Sequence, residues 1–414
     1  MSIVSVLAVN VLKSVGSIAL AIGILLAMVT VHEFGHYIVG KLLNFKITEF
    51  SVGFGPAIFK RRSKKTGELF ALRVVPLGGY CAFDGEDDFE ENDENEETEV
   101  EKEPPQEEQE QKDEYPEPKG ERFNDQAPWK RILVLVAGAT MNYLFALLLL
   151  VVMFAGLGRP VYKVVKYEPT AESSQGAIAT YNEGLKTGDL LLKINGKTIY
   201  QITDCLDELN GKKQGETVTL LINREGKEQE ITLNLYEDAR VQNLSDNSSL
   251  FYSLGIAYRE EVANEKGEKE LKTTRGGAIY AEAYATDFFP SIGHSFVYSF
   301  KIGGTVLRSL GELLTGKLAI SAMGGPVTTI SLTAQAATSG LMSFLNIAAF
   351  IGVNLAVFNL LPVPALDGCK VIFCLIEWIR KKPINRKIET IINLVGIIFL
   401  FGFAILVDLL QLFI

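Results

Sequence analysis

The sequence predicts a multi-span α-helical membrane protein with about four transmembrane helices, a β-hairpin after the first, and a soluble α+β domain after the second. Three observations predict it. Four stretches are long, apolar and almost free of charge, in a chain of 414 residues that is 48% hydrophobic. Two short segments alternate apolar and polar residues across a polar turn. A region of mixed composition, roughly Arg159 to Asp287, separates the second apolar stretch from the third.

The elements follow in chain order. Ser14 to Gly40 carries one acidic residue, Glu33, and otherwise only two histidines, and its length suits a bilayer span. Next, Phe50, Val52 and Phe54 alternate, as do Phe70, Leu72 and Val74, around the polar turn from Arg61 to Gly67. That pattern predicts a β-hairpin. Asp84 to Arg122 holds 20 acidic and 4 basic residues with several prolines, so a disordered insert is expected. A solvated tether is the plain reading, and a calcium-binding or partner-docking tail the alternative. The second span is Ile132 to Gly158, without a charge.

In the soluble region, Glu183 to Gly196 reads as turn, strand, turn, and Thr217 to Asn223 and Gln229 to Leu235 alternate as strands. A mixed apolar and basic helix, about Ser291 to Leu314, is expected at the membrane surface. Ser321 to Gly340 is rich in Gly, Ser, Thr and Ala, Phe344 to Leu361 is the third span, and Thr390 to Val407 the fourth. The resulting division is 1–43, 44–83, 84–122, 123–158, 159–287, 288–341, 342–383 and 388–414.

The formal net charge of −10 conceals two populations. The acidic insert carries −16, which leaves +6 on the rest. Nothing resembles a basic face with interleaved aromatics, so nucleic acid is not an expected partner. Lysines and arginines cluster after span one, before span two (Lys130, Arg131) and between spans three and four (Arg380 to Lys387). By the positive-inside rule both loops face the cytoplasm, and the soluble domain lies on the other side. Cys81, Cys205, Cys369 and Cys374 form no C-x-x-C pair, so neither a disulfide framework nor a cysteine zinc module is expected. No cleavable signal peptide is expected, because the first apolar stretch runs too long and lacks a small-residue cleavage site.

The chemistry is concentrated in His32-Glu33-Phe34-Gly35-His36, an H-E-x-x-H pentad. On a helix, positions i and i+4 share a face, so both imidazoles can bind one metal ion. Glu33 stands beside a ligand as a candidate proton acceptor. An ionisable residue inside a span is costly and points to function. A catalytic zinc takes three protein ligands and keeps one position open. Asp367, at the end of a run without charge from Leu318 to Leu366, suits the third place, Cys369 is a less suitable neighbour, and His294 belongs to the surface helix.

These residues, with Asn359-Leu360-Leu361-Pro362-Val363-Pro364-Ala365-Leu366-Asp367-Gly368, resemble the site-2 protease family of intramembrane zinc metalloproteases, especially bacterial RseP-like members with one PDZ domain. Gly53-Phe54-Gly55-Pro56, Leu77-Gly78-Gly79-Tyr80, Gly325-Pro326-Val327 and the Gly184 to Gly196 segment add to the likeness. The resemblance implies zinc held by His32, His36 and Asp367, with Glu33 as general base. It implies substrate contacts at Asn359, Pro362, Pro364, Gly78 and Gly79, and a membrane-associated hairpin that pairs with an unwound substrate strand. It also implies an extracytoplasmic PDZ domain at 159–287, a bacterial inner-membrane location, contact with membrane lipids, and single-span proteins or signal peptides as substrates. Two positions depart from the pattern: Cys369 follows Leu-Asp-Gly, and Ala139 replaces the proline of the second-span motif. A catalytically silent PDZ scaffold and a zinc transporter are the competing readings. The transporter ranks last, because span two offers few polar groups beyond Asn142.

Overall fold

The computed structural model describes residues 3–86, 115–164, 177–180, 184–235, 238–239, 253–254, 256–263, 269–274, 279–320 and 323–411. The helices are α1 (Ile3–Leu42), α2 (Pro128–Leu157), α3 (Ile202–Leu209), α4 (Phe288–Leu314), α5 (Pro326–Ser339), α6 (Leu341–Leu360), α7 (Asp367–Arg380) and α8 (Arg386–Gln411). The strands are β1 (Ile47–Arg62), β2 (Leu69–Phe83), β3 (Arg159–Val164), β4 (Ala177–Thr180), β5 (Leu190–Ile194), β6 (Lys197–Thr198), β7 (Thr217–Arg224), β8 (Lys227–Asn234), β9 (Ile256–Ala263), β10 (Lys269–Thr274) and β11 (Ile279–Tyr284). The chain divides into two compact units, one of residues 1–150, 299–313 and 319–414, the other of 151–298 and 314–318.

Among the described residues, four helices are long and apolar enough to cross a membrane: Lys13–Leu42 within α1, then α2, α6 and α8. At 1.5 Å per residue even the shortest, α6 with 20 residues, reaches about 30 Å, the thickness of a hydrocarbon core.

Three features go beyond the sequence reading, and the third corrects it. First, the third span ends at its proline-containing break: α6 stops at Leu360 and α7 starts at Asp367. Pro362 and Pro364 cannot donate to a helical ladder, and Ala365 adopts a left-handed φ of 75°. The loop folds back so tightly that a Cβ on Gly368 would lie 2.2 Å from the Leu361 carbonyl oxygen. Second, the Gly/Ser/Thr-rich segment is helical: α5 packs against α1, α6 and α8. Its N-terminus opens at Gly325-Pro326, where Asp408 of α8 accepts from the backbone N–H groups of Val327 (3.0 Å) and Thr328 (3.3 Å).

Third, the ends of the acidic insert are ordered, while residues 87–114 lie outside the described residues. Asp84 pairs with Lys46 at 2.7 Å and its carbonyl accepts from Phe123 N–H. Glu121 exchanges backbone hydrogen bonds with Asn44 and Lys46. The segment at each end is tied to main chain, which composition alone could not reveal.

The hairpin is more folded than a simple two-strand ribbon. Residues 57–62 register with 69–73, while residues 49–52 register with both 69–72 and 79–82. Each strand therefore bends, and glycines make the bends: Gly53, Gly55 and Gly78 all have positive φ. Tyr37 Oη donates to the buried Glu68 at 3.0 Å and Lys41 pairs with the same carboxylate, fastening the hairpin turn to α1. Phe45, Ile47, Phe83, Phe123, Val134 and Cys374 form an apolar core that joins the hairpin base to α2 and α7.

In the second unit, an antiparallel sheet runs in the order β11-β3-β5-β7-β8, with β6 beside β5. A separate sheet has the order β10-β9-β4. Two tight hairpins are set by left-handed pairs: Asn195-Gly196 between β5 and β6, and Glu225-Gly226 between β7 and β8. Leu191, Ile194, Leu220 and Ile222 from the sheet meet Cys205, Leu206 and Leu209 of α3 in the core. The fully buried Asp189 accepts from Arg224 at 2.7 Å and from the Lys186 N–H at 2.7 Å.

Candidate metal centre

His32 and His36 lie one turn apart on α1, and Asp367 is the first residue of α7. Their ligand atoms all lie within 4.8 Å of one another. Nε2 of His32 and Nε2 of His36 are 3.1 Å apart, and Asp367 Oδ2 approaches them at 3.1 and 3.4 Å. His36 Nδ1 is 2.8 Å from the Val134 carbonyl oxygen. A carbonyl only accepts, so Nδ1 carries the proton and Nε2 presents a lone pair.

The donor set fits a zinc ion. Asp367 Oδ2 is buried without a well-directed hydrogen bond, and it faces the lone pair of His36. Electron-rich atoms converging at this distance repel unless a cation lies among them. Two imidazoles and one carboxylate are the usual protein ligands of a catalytic zinc, with one position left open.

Small residues leave the space. A Cβ on Gly138 of α2 would lie 2.4 Å from His36 Nε2 and 2.7 Å from His32 Cε1. One on Gly35 would lie 2.5 Å from the Ala137 carbonyl oxygen. Both glycines let α1 and α2 approach with the imidazoles between them. The side-chain nitrogens of Asn142 and Asn359 sit 3.4 and 3.3 Å from His32 Nδ1, while Asn142 Oδ1 is buried and unpaired. A half-turn of the Asn142 amide would set its oxygen against Nδ1–H, the tautomer required when Nε2 binds a metal.

Glu33 shares a cavity of about 270 Å³ with His32, Asp367, Asn359, Gly78 and Gly79. The Cys81 N–H faces its carboxylate. A Cβ on Gly79 would lie 3.2 Å from Glu33 Cγ and 2.8 Å from the Ser51 carbonyl oxygen, so β2 reaches this cavity because position 79 has no side chain.

The predicted residues therefore separate into two groups. His32, Glu33, His36, Asp367, Asn359, Gly78 and Gly79 come together. Pro362 and Pro364 do not line the cavity; Pro364 fills the space over Gly396 of α8, where a Cβ would lie 2.4 Å from it. Cys369 is buried and outside the ligand cluster. His294 shares a hydrogen bond with Tyr200 Oη, and burial, then Arg159 and Lys193, holds its pKa below the usual value. Sequence reasoning missed Gly138, Gly35 and the Val134 carbonyl. The available signal was Gly138 one turn before Asn142 in an apolar helix, which puts both on one face.

Known proteins are similar to this chain over most of its length. The model for peptidase family M50 matches residues 20–403. A Clostridium perfringens protein is 31% identical over 92% of this chain and 94% of its own length. The zinc metalloprotease RasP of Bacillus licheniformis is 27% identical over 90% of this chain and 93% of that one. The regulator of sigma-W protease RasP of Bacillus subtilis is 26% identical over 90% and 92%. Among solved structures, the PDZ domain of a Listeria monocytogenes SdrC-like protein covers 28% of this chain and 85% of its own, with 16% identity and a TM-score of 0.15, too remote to argue a fold from.

Proposed function

Because the chain belongs to peptidase family M50, the site-2 type of zinc metalloprotease, we propose that it is an endopeptidase that hydrolyses peptide bonds within the transmembrane segments of single-span proteins. The observation that carries the reading is the convergence of His32, His36 and Asp367 beside Glu33, on helices long and apolar enough to cross a membrane or directly joined to them.

Zinc, when bound, supplies a Lewis acid that polarises a carbonyl and lowers the pKa of water. His32, His36 and Asp367 hold it. Glu33 takes a proton from the attacking water and returns it to the leaving amine nitrogen. Asn142 and Asn359 orient the His32 ring, and Asn359 is also placed to touch substrate backbone. A helical peptide bond is shielded by its own turn, so the substrate must be drawn out before attack. The strand around Gly78 and Gly79 can pair with the extended segment and satisfy its exposed backbone groups. Pro362 and Pro364 act indirectly, by holding the break that presents Asp367.

We assign the protein to a bacterial cytoplasmic membrane, with the basic loops inside and residues 159–287 outside as a PDZ domain that admits substrates already trimmed there. Pairing of Arg131, at the start of α2, with Glu377, near the end of α7, supports a shared side for the two basic loops. Anti-sigma-factor-type regulators, as the name of the Bacillus subtilis relative suggests, or remnant signal peptides are the substrate classes.

The test is Glu33→Gln in the purified full-length protein. Zinc content should match the wild type, while cleavage of a single-span substrate falls by about 10²–10⁴-fold. Unchanged cleavage would remove Glu33 as the base, and wild-type protein that binds zinc but cleaves no span would favour the silent scaffold.

A further inference from the structure

Away from the metal centre, a second cavity of about 450 Å³ opens where α2 and α8 begin and α7 ends. Four cations line it, Arg131, Lys381, Lys382 and Arg386, against two carboxylates, Asp125 and Glu377. Glu377 is already saturated. It is 4% exposed, pairs with Arg131, takes Arg386 at 3.1 Å, and accepts the Ile384 N–H at 2.9 Å. Arg131 is also 4% exposed, yet its Nε and Nη1 have no hydrogen-bond partner among the described residues. Arg386 also meets Glu389 at 2.7 Å, so the charge left over in the cavity is that of Lys381 and Lys382 against Asp125 alone, which suits an anion.

The position says which anion. The cavity lies at the level where two spans start, and the N-termini of α2 and α8 add positive partial charge there against the C-terminus of α7. The chain has only two tryptophans. Trp378 lines the cavity, half exposed, and Trp129 lies two residues before Arg131, also half exposed. Tryptophan concentrates at the headgroup level of a bilayer, and Ile379 beside the cavity is 80% exposed, as a side chain facing lipid can be. Basic pockets between spans suit the phosphate of an acidic lipid.

We propose that this cavity binds the headgroup phosphate of an anionic phospholipid, with Lys381 and Lys382 as its contacts and the Arg131–Glu377 pair as its buried floor. The bound lipid would fasten the α7–α8 turn to the start of α2.

Because Trp378 lines the cavity, tryptophan fluorescence reports on it. Full-length protein in neutral detergent is titrated with short-chain phosphatidylglycerol, phosphatidylcholine of equal chain length, and inorganic phosphate. Phosphatidylglycerol should give a saturable change that phosphatidylcholine does not, and inorganic phosphate should not saturate over the same range. In the double variant Lys381→Gln, Lys382→Gln, at exposed positions, the apparent Kd for phosphatidylglycerol should rise by about tenfold or more. Equal responses to the two lipids, or an unchanged Kd in the double variant, would overturn the proposal. Saturation by inorganic phosphate at the same concentrations would overturn its assignment to a lipid.

Discussion

The core of the second unit and the metal cage of the first are built on opposite principles. Around α3 and the central strands, large side chains fill space: Leu191, Ile194, Leu209, Leu220 and Ile222 are all fully buried. Around His32 and His36, space is kept open by residues without side chains, Gly35, Gly138 and Gly79, with Gly368 allowing the backbone to fold back behind Asp367. The first region derives its stability from apolar area removed from water. The second gives up that area so that polar atoms can meet within an apolar bundle. The contrast teaches that the two regions fail in opposite directions, one when a side chain shrinks and the other when one grows.

The strongest way to sharpen this comparison is Leu209→Ala. Removal of a fully buried leucine side chain should cost the second unit about 2–5 kcal/mol, read as a lower denaturation midpoint, with zinc content unchanged. Loss of zinc in this variant would mean that the two regions are not energetically separable. A smaller effect in the opposite sense is expected for Gly138→Ala. Its methyl group would meet both imidazoles, so zinc affinity should fall by about 10–100-fold, measured by competition with a chelator, as when ligand orientation is disturbed. Wild-type affinity in Gly138→Ala would show that the cage can relax and that the glycine is incidental.

Asn142→Ala should lie slightly below that, about tenfold in zinc affinity, because Asn359 still faces His32 Nδ1. The smallest effect concerns pH in the second unit. Burial and the nearby Arg159 and Lys193 keep the pKa of His294 below its ordinary 6.5. Below pH 6.5 the unfolded chain takes a proton that the folded chain resists, so stability falls as pH drops toward the folded value. The melting temperature of this unit should decrease from about pH 7.5 to about pH 5.5, and His294→Gln should weaken that slope. An identical slope in the variant would assign the dependence to other groups.

What the sequence made legible follows the same division. Residues that act through their chemistry stood out. Two histidines at helical spacing, a glutamate inside a span and an aspartate ending an uncharged run can be recognised one at a time. The turn Asn195-Gly196 was equally plain, since few residue pairs favour left-handed backbone, and Glu225-Gly226 was marked by the polar break between two alternating strands. Residues that act by making room were silent. Gly138 looks like any glycine of a membrane helix until the imidazoles that it admits are seen. The doubled register of 49–52 was hidden for a related reason: alternation predicts a strand but not which strands flank it. The helical nature of α5 was obscured because its N-terminus is capped from 80 residues away, by Asp408. Pro362 and Pro364 were recognised as helix breakers, but the position of Pro364 against α8 depends on Gly396, far along the chain.

The central claim is that His32, His36 and Asp367 form one zinc site that serves cleavage within a membrane span. The most direct measurement is zinc per chain, taken alongside cleavage of a single-span substrate, for wild type and Asp367→Ala with and without a chelator. One zinc per wild-type chain, cleavage lost on chelation, and loss of both zinc and cleavage in Asp367→Ala are the predicted results. Full zinc content and undiminished cleavage in Asp367→Ala would contradict the account.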